Sequence, residues 1–222
     1  MTDASSHWDG LHEDRRFRPV YPNEHVVRFF MRNRSWLREH AASSRVLDIG
    51  VGGGRHVKLA AELGFRVYGI DVSLTGLVHA AAWLDSLGLQ AALVKASMLR
   101  LPFRDNSFGA AVSYGVFYYG DAEMMRQAIR ELHRILRPEG RGFVVLRTTS
   151  DYRFGKGDKL GDQTFRLTIS DTNEYDTVQH FLREEDINIY FACFSRVSFE
   201  KSETSFGERS GVNSDWLVEL CK

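Results

Sequence analysis

Apolar, β-branched runs alternate with stretches of helical composition through the middle of the chain. Val46-Leu47-Asp48-Ile49, bounded by glycines, suits a buried parallel strand, and Arg55 to Leu63 has the composition of the helix after it. Arg66-Val67-Tyr68-Gly69-Ile70 reads as the next strand, Leu74 to Leu87 as a helix stopped by Gly88, and Ala91 to Lys95 as a third strand. Leu101-Pro102-Phe103 opens a loop, and a turn at Asp105-Asn106-Ser107 leads into the strand Ala110-Ala111-Val112-Ser113. Met124 to Leu136 reads as a helix that ends at the break Arg137-Pro138-Glu139-Gly140, before a fifth strand from Gly142 to Arg147. The alternation predicts an α/β fold, a parallel sheet with helices on both faces. Upstream, Asn23 caps a helix running to about His40, with Val26, Phe29, Phe30 and Leu37 on one face and Asn33 interrupting the stripe.

The C-terminal pattern differs. Val197 to Phe206 and Trp216 to Cys221 both read as strands, and only nine residues, Gly207 to Asp215, join them. A parallel neighbour needs a crossover of a dozen or so residues, so this pair is expected to be antiparallel. The gap is turn-rich and poor in apolar residues, which supports the same pairing.

Composition narrows the picture. A chain of 222 residues, 43% hydrophobic, is long enough for one domain with a full core, and no Pro/Gly/Ser-rich linker divides it. Lys plus Arg and Asp plus Glu both number 29, so no global positive field draws in nucleic acid or an anionic membrane, and a small or peptide-like substrate is the expectation. No apolar stretch approaches the ~18 residues of a membrane span, and the polar start is no signal peptide, which predicts cytoplasmic residence. Cys193 and Cys221 have no metal-ligand spacing and read as reduced thiols, so no metal site is expected. Oligomeric state is left open.

The chemistry concentrates at Asp48-Ile49-Gly50-Val51-Gly52-Gly53-Gly54, with Asp71 about 20 residues later. Glycines where strand turns into helix let the backbone turn sharply and let a ligand approach the helix N-terminus. A dinucleotide fingerprint needs a third glycine, and the two registers put Arg55 or Val57 there instead. Asp48 would repel a pyrophosphate but attract an ammonium group, which favours a zwitterionic cofactor. Asp71, at the end of its strand, can accept from both hydroxyls of a ribose, or cap the helix near Leu74.

The order Asp48-x-Gly50-x-Gly52-x-Gly54 resembles the first motif of class I S-adenosylmethionine-dependent methyltransferases. Leu101-Pro102-Phe103, Phe108 to Tyr119 and Glu131 to Gly140 look like later motifs of the small-molecule branch often called type 11. The resemblance covers about Arg45 to Leu146 and, more loosely, the final hairpin. It implies a Rossmann-like, doubly wound, mostly parallel seven-stranded sheet with an antiparallel C-terminal strand, and S-adenosyl-L-methionine as cofactor. It places Asp48, Gly50, Gly52 and Gly54 at the methionine end and Asp71 with Val72 at the ribose. Ser97 and Met98 fall to the adenine, and Ser113 and Tyr21 complete the set. Two departures stand out, because many relatives carry acids at the positions of Ser97 and Gly109; the Ser97 hydroxyl can still accept a hydrogen bond, or serve as a plain turn residue.

Methyl transfer needs positioning and exclusion of water more than a nucleophilic side chain. Tyr118 and Tyr119 stand after the fourth strand, where relatives often carry histidines, and are assigned to the pocket wall. The segment 148–182 is expected to set specificity, with Arg147, Tyr152, Arg153, Asn173 and Glu174 suiting a polar acceptor such as a sugar or amino compound. His180 is its candidate base. Trp8, Phe17, Arg18 and Tyr21 in the N-terminal segment 1–44 are candidates for a lid, and Arg55 and His56 sit at the helix mouth. Residues 45–147 then form the cofactor core and 183–222 the last helix and hairpin. The expected activity is methylation of an O or N atom of a small polar metabolite; the alternatives are RNA or a peptide terminus as acceptor, or a non-catalytic cofactor-binding domain.

Overall fold

A computed structural model describes residues 4–39, 45–170, 172–205 and 211–222. Seven strands form one sheet in the order β3-β2-β1-β4-β5-β10-β9. β1 (Arg45–Ile49), β2 (Arg66–Asp71), β3 (Ala91–Lys95), β4 (Phe108–Tyr114) and β5 (Leu136–Arg147) are parallel. β10 (Val212–Cys221) runs antiparallel to both β5 and β9 (Arg196–Ser205), so one strand of the seven is reversed. The strands alternate with helices as the apolar pattern requires: α3 (Arg55–Glu62), α4 (Leu74–Ser86) and α5 (Ala122–Ile135), with α2 (Glu24–Glu39) before them and α6 (Glu184–Tyr190) after.

Each face of the sheet buries its own cluster. Leu47, Ile49, Ile70, Phe108 and Val144 pack against Met125, Ile129 and Leu132 of α5 and Ile187 of α6. Val46, Val112, Phe143 and Val145 meet Val26, Phe29 and Phe30 of α2, Val57 and Ala60 of α3, and Ala80 of α4. Each large side chain fully removed from water contributes roughly 1.5–3 kcal/mol, so these two layers dominate the stability.

Local signals set the helix starts. Ser73 caps α4 by accepting from the Gly76 N–H. Asp121 accepts from the N–H groups of Glu123 and Met124, so α5 begins at Ala122, two residues before the apolar pattern indicates. The expected break at Arg137-Pro138-Glu139-Gly140 is instead a bulge inside β5. Leu136 pairs with Phe108 and Arg141 with Ala110, and Glu139 takes a left-handed φ of 62°. The last strand likewise starts earlier than expected, at Val212, because Asn213, Ser214 and Asp215 pair through their backbones with Thr204, Glu203 and Ser202. Phe206 and the next four residues of the expected gap, and the His40 end of the expected helix, lie outside the described residues.

The sequence predicts a helical cap or lid over 1–44 but no helix before Asn23, and no sheet within 148–182. An N-terminal helix, α1 (Ala4–Glu13), packs on α4, and a second antiparallel sheet forms from β6 (Gly157–Lys159), β7 (Thr164–Leu167) and β8 (Val178–His180). The small sheet lies within the segment expected to set specificity. Among the described residues no helix is long and apolar enough to cross a membrane, and no group of His, Cys, Asp and Glu is arranged to hold a metal ion.

Candidate functional site

The parallel strands end together, and the connections after β1, β2, β4 and β5 meet at that edge. After β1, Gly50 and Val51 donate to the Ile70 carbonyl at 2.8 and 3.0 Å, tying the glycine loop to β2. Gly50 has φ 88°, and a Cβ there would come within 2.1 Å of Val116 Cγ2. Gly54 has φ 92° and caps α3, and a Cβ there would stand 2.8 Å from Ala80 Cβ. These two glycines serve close packing. Gly52 differs, because its N–H donates to Asp71 Oδ2 at 2.7 Å.

Asp71 therefore belongs to the loop as well as to β2. Its other oxygen accepts from the Ser73 N–H at 2.8 Å, so Asp71 also supports the start of α4, the alternative role the sequence allowed. Two accepted bonds leave about two of a carboxylate's four acceptor positions for ribose hydroxyls. Val72, between them, is half-buried. Asp48 is 2% exposed, and neither of its oxygens has a partner among the described residues. Burial, reinforced by the charge of Asp71, pushes its pKa up to about 8, with Arg55 opposing. The buried Ser113 hydroxyl is likewise without a partner. An orphaned carboxylate beside loop amides fits the ammonium of a zwitterionic cofactor, so the donor set passes the test that S-adenosylmethionine poses.

α1 lies over this loop. Asp9 Oδ1 accepts from the Ser73 hydroxyl at 2.8 Å and from the Thr75 N–H at 3.0 Å, adding a second cap to α4, and these bonds lower its pKa. His12 Nδ1 is 3.0 Å from the Ser73 hydroxyl, and its Nε2 faces Gly52. Trp8 stands edge-on to the Tyr119 ring at 4.7 Å, and Arg18 lies against Gly53. Trp8 and Arg18 are thus where a cover should be. Phe17 pairs with Arg16 on a 3-10 turn. Tyr21 departs from expectation: its side chain is 82% exposed, and only its carbonyl reaches the site region, accepting from Arg55 at 3.4 Å. Asp9, His12 and Ser73 were missed as a group. Ser73 carries an N-cap signal, but nothing in the sequence links it to an acid 64 residues earlier.

At the helix mouth Arg55 stacks over the Tyr114 ring at 5.3 Å. His56 accepts from the Asn23 N–H at 3.3 Å, and burial drives its pKa down to about 3, so it is a neutral acceptor fixing the start of α2. On the adenine side, Ser97 Oγ accepts from the Leu99 N–H at 3.2 Å, which makes it a turn residue. Met98 packs half-buried on the core.

The expected acceptor residues converge around one charged network. Arg147, at the end of β5, lies over the Tyr118 ring at 4.6 Å, donates to the Tyr118 hydroxyl at 3.3 Å, and binds Glu174 and Asp151. Arg153 binds Glu174, Asp151 at 3.1 Å and Asn213 at 2.9 Å, and sits over the Tyr152 ring at 4.1 Å. Tyr119 donates to Glu174 at 2.9 Å. Burial raises the pKa of both Tyr118 and Tyr119, so neither phenol is a proton acceptor near neutral pH. Asn173 is exposed on the turn beside α1. His180 does not offer a free nitrogen. Its Nδ1 is 2.8 Å from Thr164 Oγ1 and its Nε2 2.8 Å from the Tyr190 hydroxyl, and burial lowers its pKa to about 4. Those contacts tie β8 to β7 and α6.

Comparison with known proteins follows the same geometry. Residues 46–140 match a family described as a methyltransferase domain. The demethylmenaquinone methyltransferase of Thermus thermophilus is 34% identical over 108 residues, 47% of this chain and 47% of that protein. The probable tRNA methyltransferase 9B of Homo sapiens is 33% identical over 117 residues, 52% of this chain and 24% of that protein. The chain thus spans less than half the length of either relative. A SAM-dependent methyltransferase structure from Methanosarcina mazei aligns with a TM-score of 0.66 at 21% identity, covering 80% of this chain and 92% of that one. With a tRNA enzyme among the named relatives, the expected exclusion of nucleic acid has no support beyond the charge balance. Through residues 46–140, the chain matches the methyltransferase-domain family, and its fold is that of an S-adenosylmethionine-dependent methyltransferase structure.

Proposed function

We propose that the protein transfers a methyl group from S-adenosylmethionine to an O or N atom of a small polar metabolite, a sugar or an amino compound. The observation that carries this reading is Asp48, a buried carboxylate with both oxygens unpartnered among the described residues, beside the glycine loop at the sheet's C-terminal edge. When bound, the cofactor supplies an activated methyl group on a sulfonium. Asp48 takes the ammonium, Gly50, Gly52 and Gly54 line the methionine end, and Asp71 uses its free acceptor positions for the ribose. Ser97, Met98 and Ser113 complete the binding set. α1 acts as a lid that keeps water from the sulfonium, with Trp8 and His12 on its inner side.

Tyr118, Tyr119, Tyr152, Arg147, Arg153, Asn173 and Glu174 form the acceptor wall. His180 positions this wall rather than taking a proton, since both its nitrogens are engaged. Rate enhancement then comes from holding acceptor and donor in line. Calorimetry with S-adenosylmethionine and NAD, followed by a labelled-methyl assay on a metabolite pool, tests the reading. Binding of S-adenosylmethionine and label in small products are expected; binding of NAD alone would overturn it. Label recovered only in nuclease-sensitive or protease-sensitive material would move the acceptor to RNA or a peptide terminus, and binding without transfer would leave a cofactor-binding domain.

A further inference from the structure

Asp215 stands beside Arg147 of the acceptor wall, and its carboxylate is hydrogen-bonded by none of the wall's side chains. On β10, Trp216, Val218 and Leu220 bury on the α5 side and Leu217 on the α2 side, which puts Asp215 on the α2 side. Arg147 lies directly opposite it on β5, and Tyr114 lies on the same face one strand further, on β4. Asp215 raises the pKa of both Tyr114 and Tyr118, so it is close enough to both for its charge to be felt. Tyr114 in turn carries Arg55 over its ring, and Arg55 feels Asp48. Asp48, Arg55, Tyr114 and Asp215 therefore line the strand ends from the cofactor loop toward the acceptor wall.

The charges in this wall do not balance. Arg147 and Arg153 spend their hydrogen bonds on Asp151, Glu174, Asn213 and the Tyr118 hydroxyl. The Asp215 carboxylate makes no hydrogen bond or ion pair among the described residues. Across β10 its neighbour is Ser202, whose flanking Lys201 and Glu203 pair with each other. Among the described residues, two guanidiniums against three carboxylates leave one negative charge in a partly buried site, and a buried charge without a partner is costly. Burial first, then the opposing influences of Arg147, Asp151, Arg153 and Glu174, bring the Asp215 pKa up to about 6.

We infer that Asp215 selects the acceptor: its carboxylate holds the ammonium of a cationic amine, supplying the positive charge the wall lacks. The assignment rests on the methyl-transfer reading and narrows its acceptor class to amines.

The test is calorimetry on protein saturated with S-adenosylhomocysteine, titrated with amine and alcohol pairs of matched shape, tyramine with tyrosol and ethanolamine with ethylene glycol. An amine is expected to bind where its alcohol does not. Asp215→Asn should weaken that binding by about 30-fold or more, with S-adenosylhomocysteine affinity unchanged and Tm no lower than that of the wild type. Wild-type amine binding should also fall as pH drops through about 6, because these amines stay protonated there while Asp215 loses its charge. Failure of every amine to bind, equal binding of the alcohols, or an unaffected Asp215→Asn would overturn the proposal. The acid limb of the wild-type protein decides the matter if the variant does not fold. Failure of S-adenosylhomocysteine itself to bind would instead overturn the methyl-transfer reading, a separate result.

Discussion

Asp48 couples ligand readiness to a pH-dependent loss of stability. Its folded pKa is about 8, whereas an unfolded aspartate titrates near ~3.9. Between those values the folded chain holds a proton that the unfolded chain has released, so this residue's contribution to stability falls as pH rises from about 4 to about 8. Asp48→Asn removes the ionisable group at nearly constant shape. Thermal melts of ligand-free protein should show the variant gaining on wild type as pH climbs, by several degrees at pH 8 and little at pH 4. The same variant should bind S-adenosylmethionine more weakly by calorimetry. Equal pH slopes for the two proteins would mean that Asp48 is not held neutral by burial.

Among the elements, the small β6-β7-β8 sheet hangs on few polar anchors, of which Glu174 is the most connected. Glu174 accepts from Arg147, Arg153 and Tyr119 together, joining the turn before β8 to the ends of β4 and β5. Glu174→Gln strips the charge from one side of a buried ion pair, a change that typically costs about 3–5 kcal/mol. Hydrogen exchange should accelerate across residues 157–180, while S-adenosylmethionine affinity stays within a few-fold, since Asp48 and Asp71 lie on other strands. The reach of sequence reading divides along the same line. β1, β4 and β5 were legible because strands buried on both faces read as unbroken apolar runs, β2 and the edge strand β3 because short apolar runs stand between helical stretches, and the last hairpin because its joining segment is too short for a crossover. β6, β7 and β8 span three or four residues each, too few for a period to emerge. α1 carries a mixed sequence and is tied down by Asp9 and His12 on Ser73, contacts between side chains more than sixty positions apart. In the site, residue type singled out Asp48, Asp71, Arg147 and Glu174, but it gave no sign that both nitrogens of His180 are engaged, because Thr164 and Tyr190 lie on other elements.

For the molecule as a whole, equal numbers of acidic and basic residues bear on the acceptor's size. Methyl transfer to a small acceptor should change by no more than a few-fold between 50 and 200 mM salt, whereas RNA gripped through six to ten phosphates would lose about 10³–10⁵ in affinity. A salt titration of the labelled-methyl assay separates the two. One feature also governs how the molecule fills its site. His12 and Trp8 of α1 rest on the loop and wall that the cofactor has to reach, and Asp9 latches the helix to the start of α4. With α1 as the proposed lid, entry would wait for the helix to swing away. In stopped-flow mixing the observed association rate should level off at high S-adenosylmethionine concentration, and Asp9→Ala should raise that plateau. Traffic through the site would thus be timed by a helix that contributes nothing to the sheet.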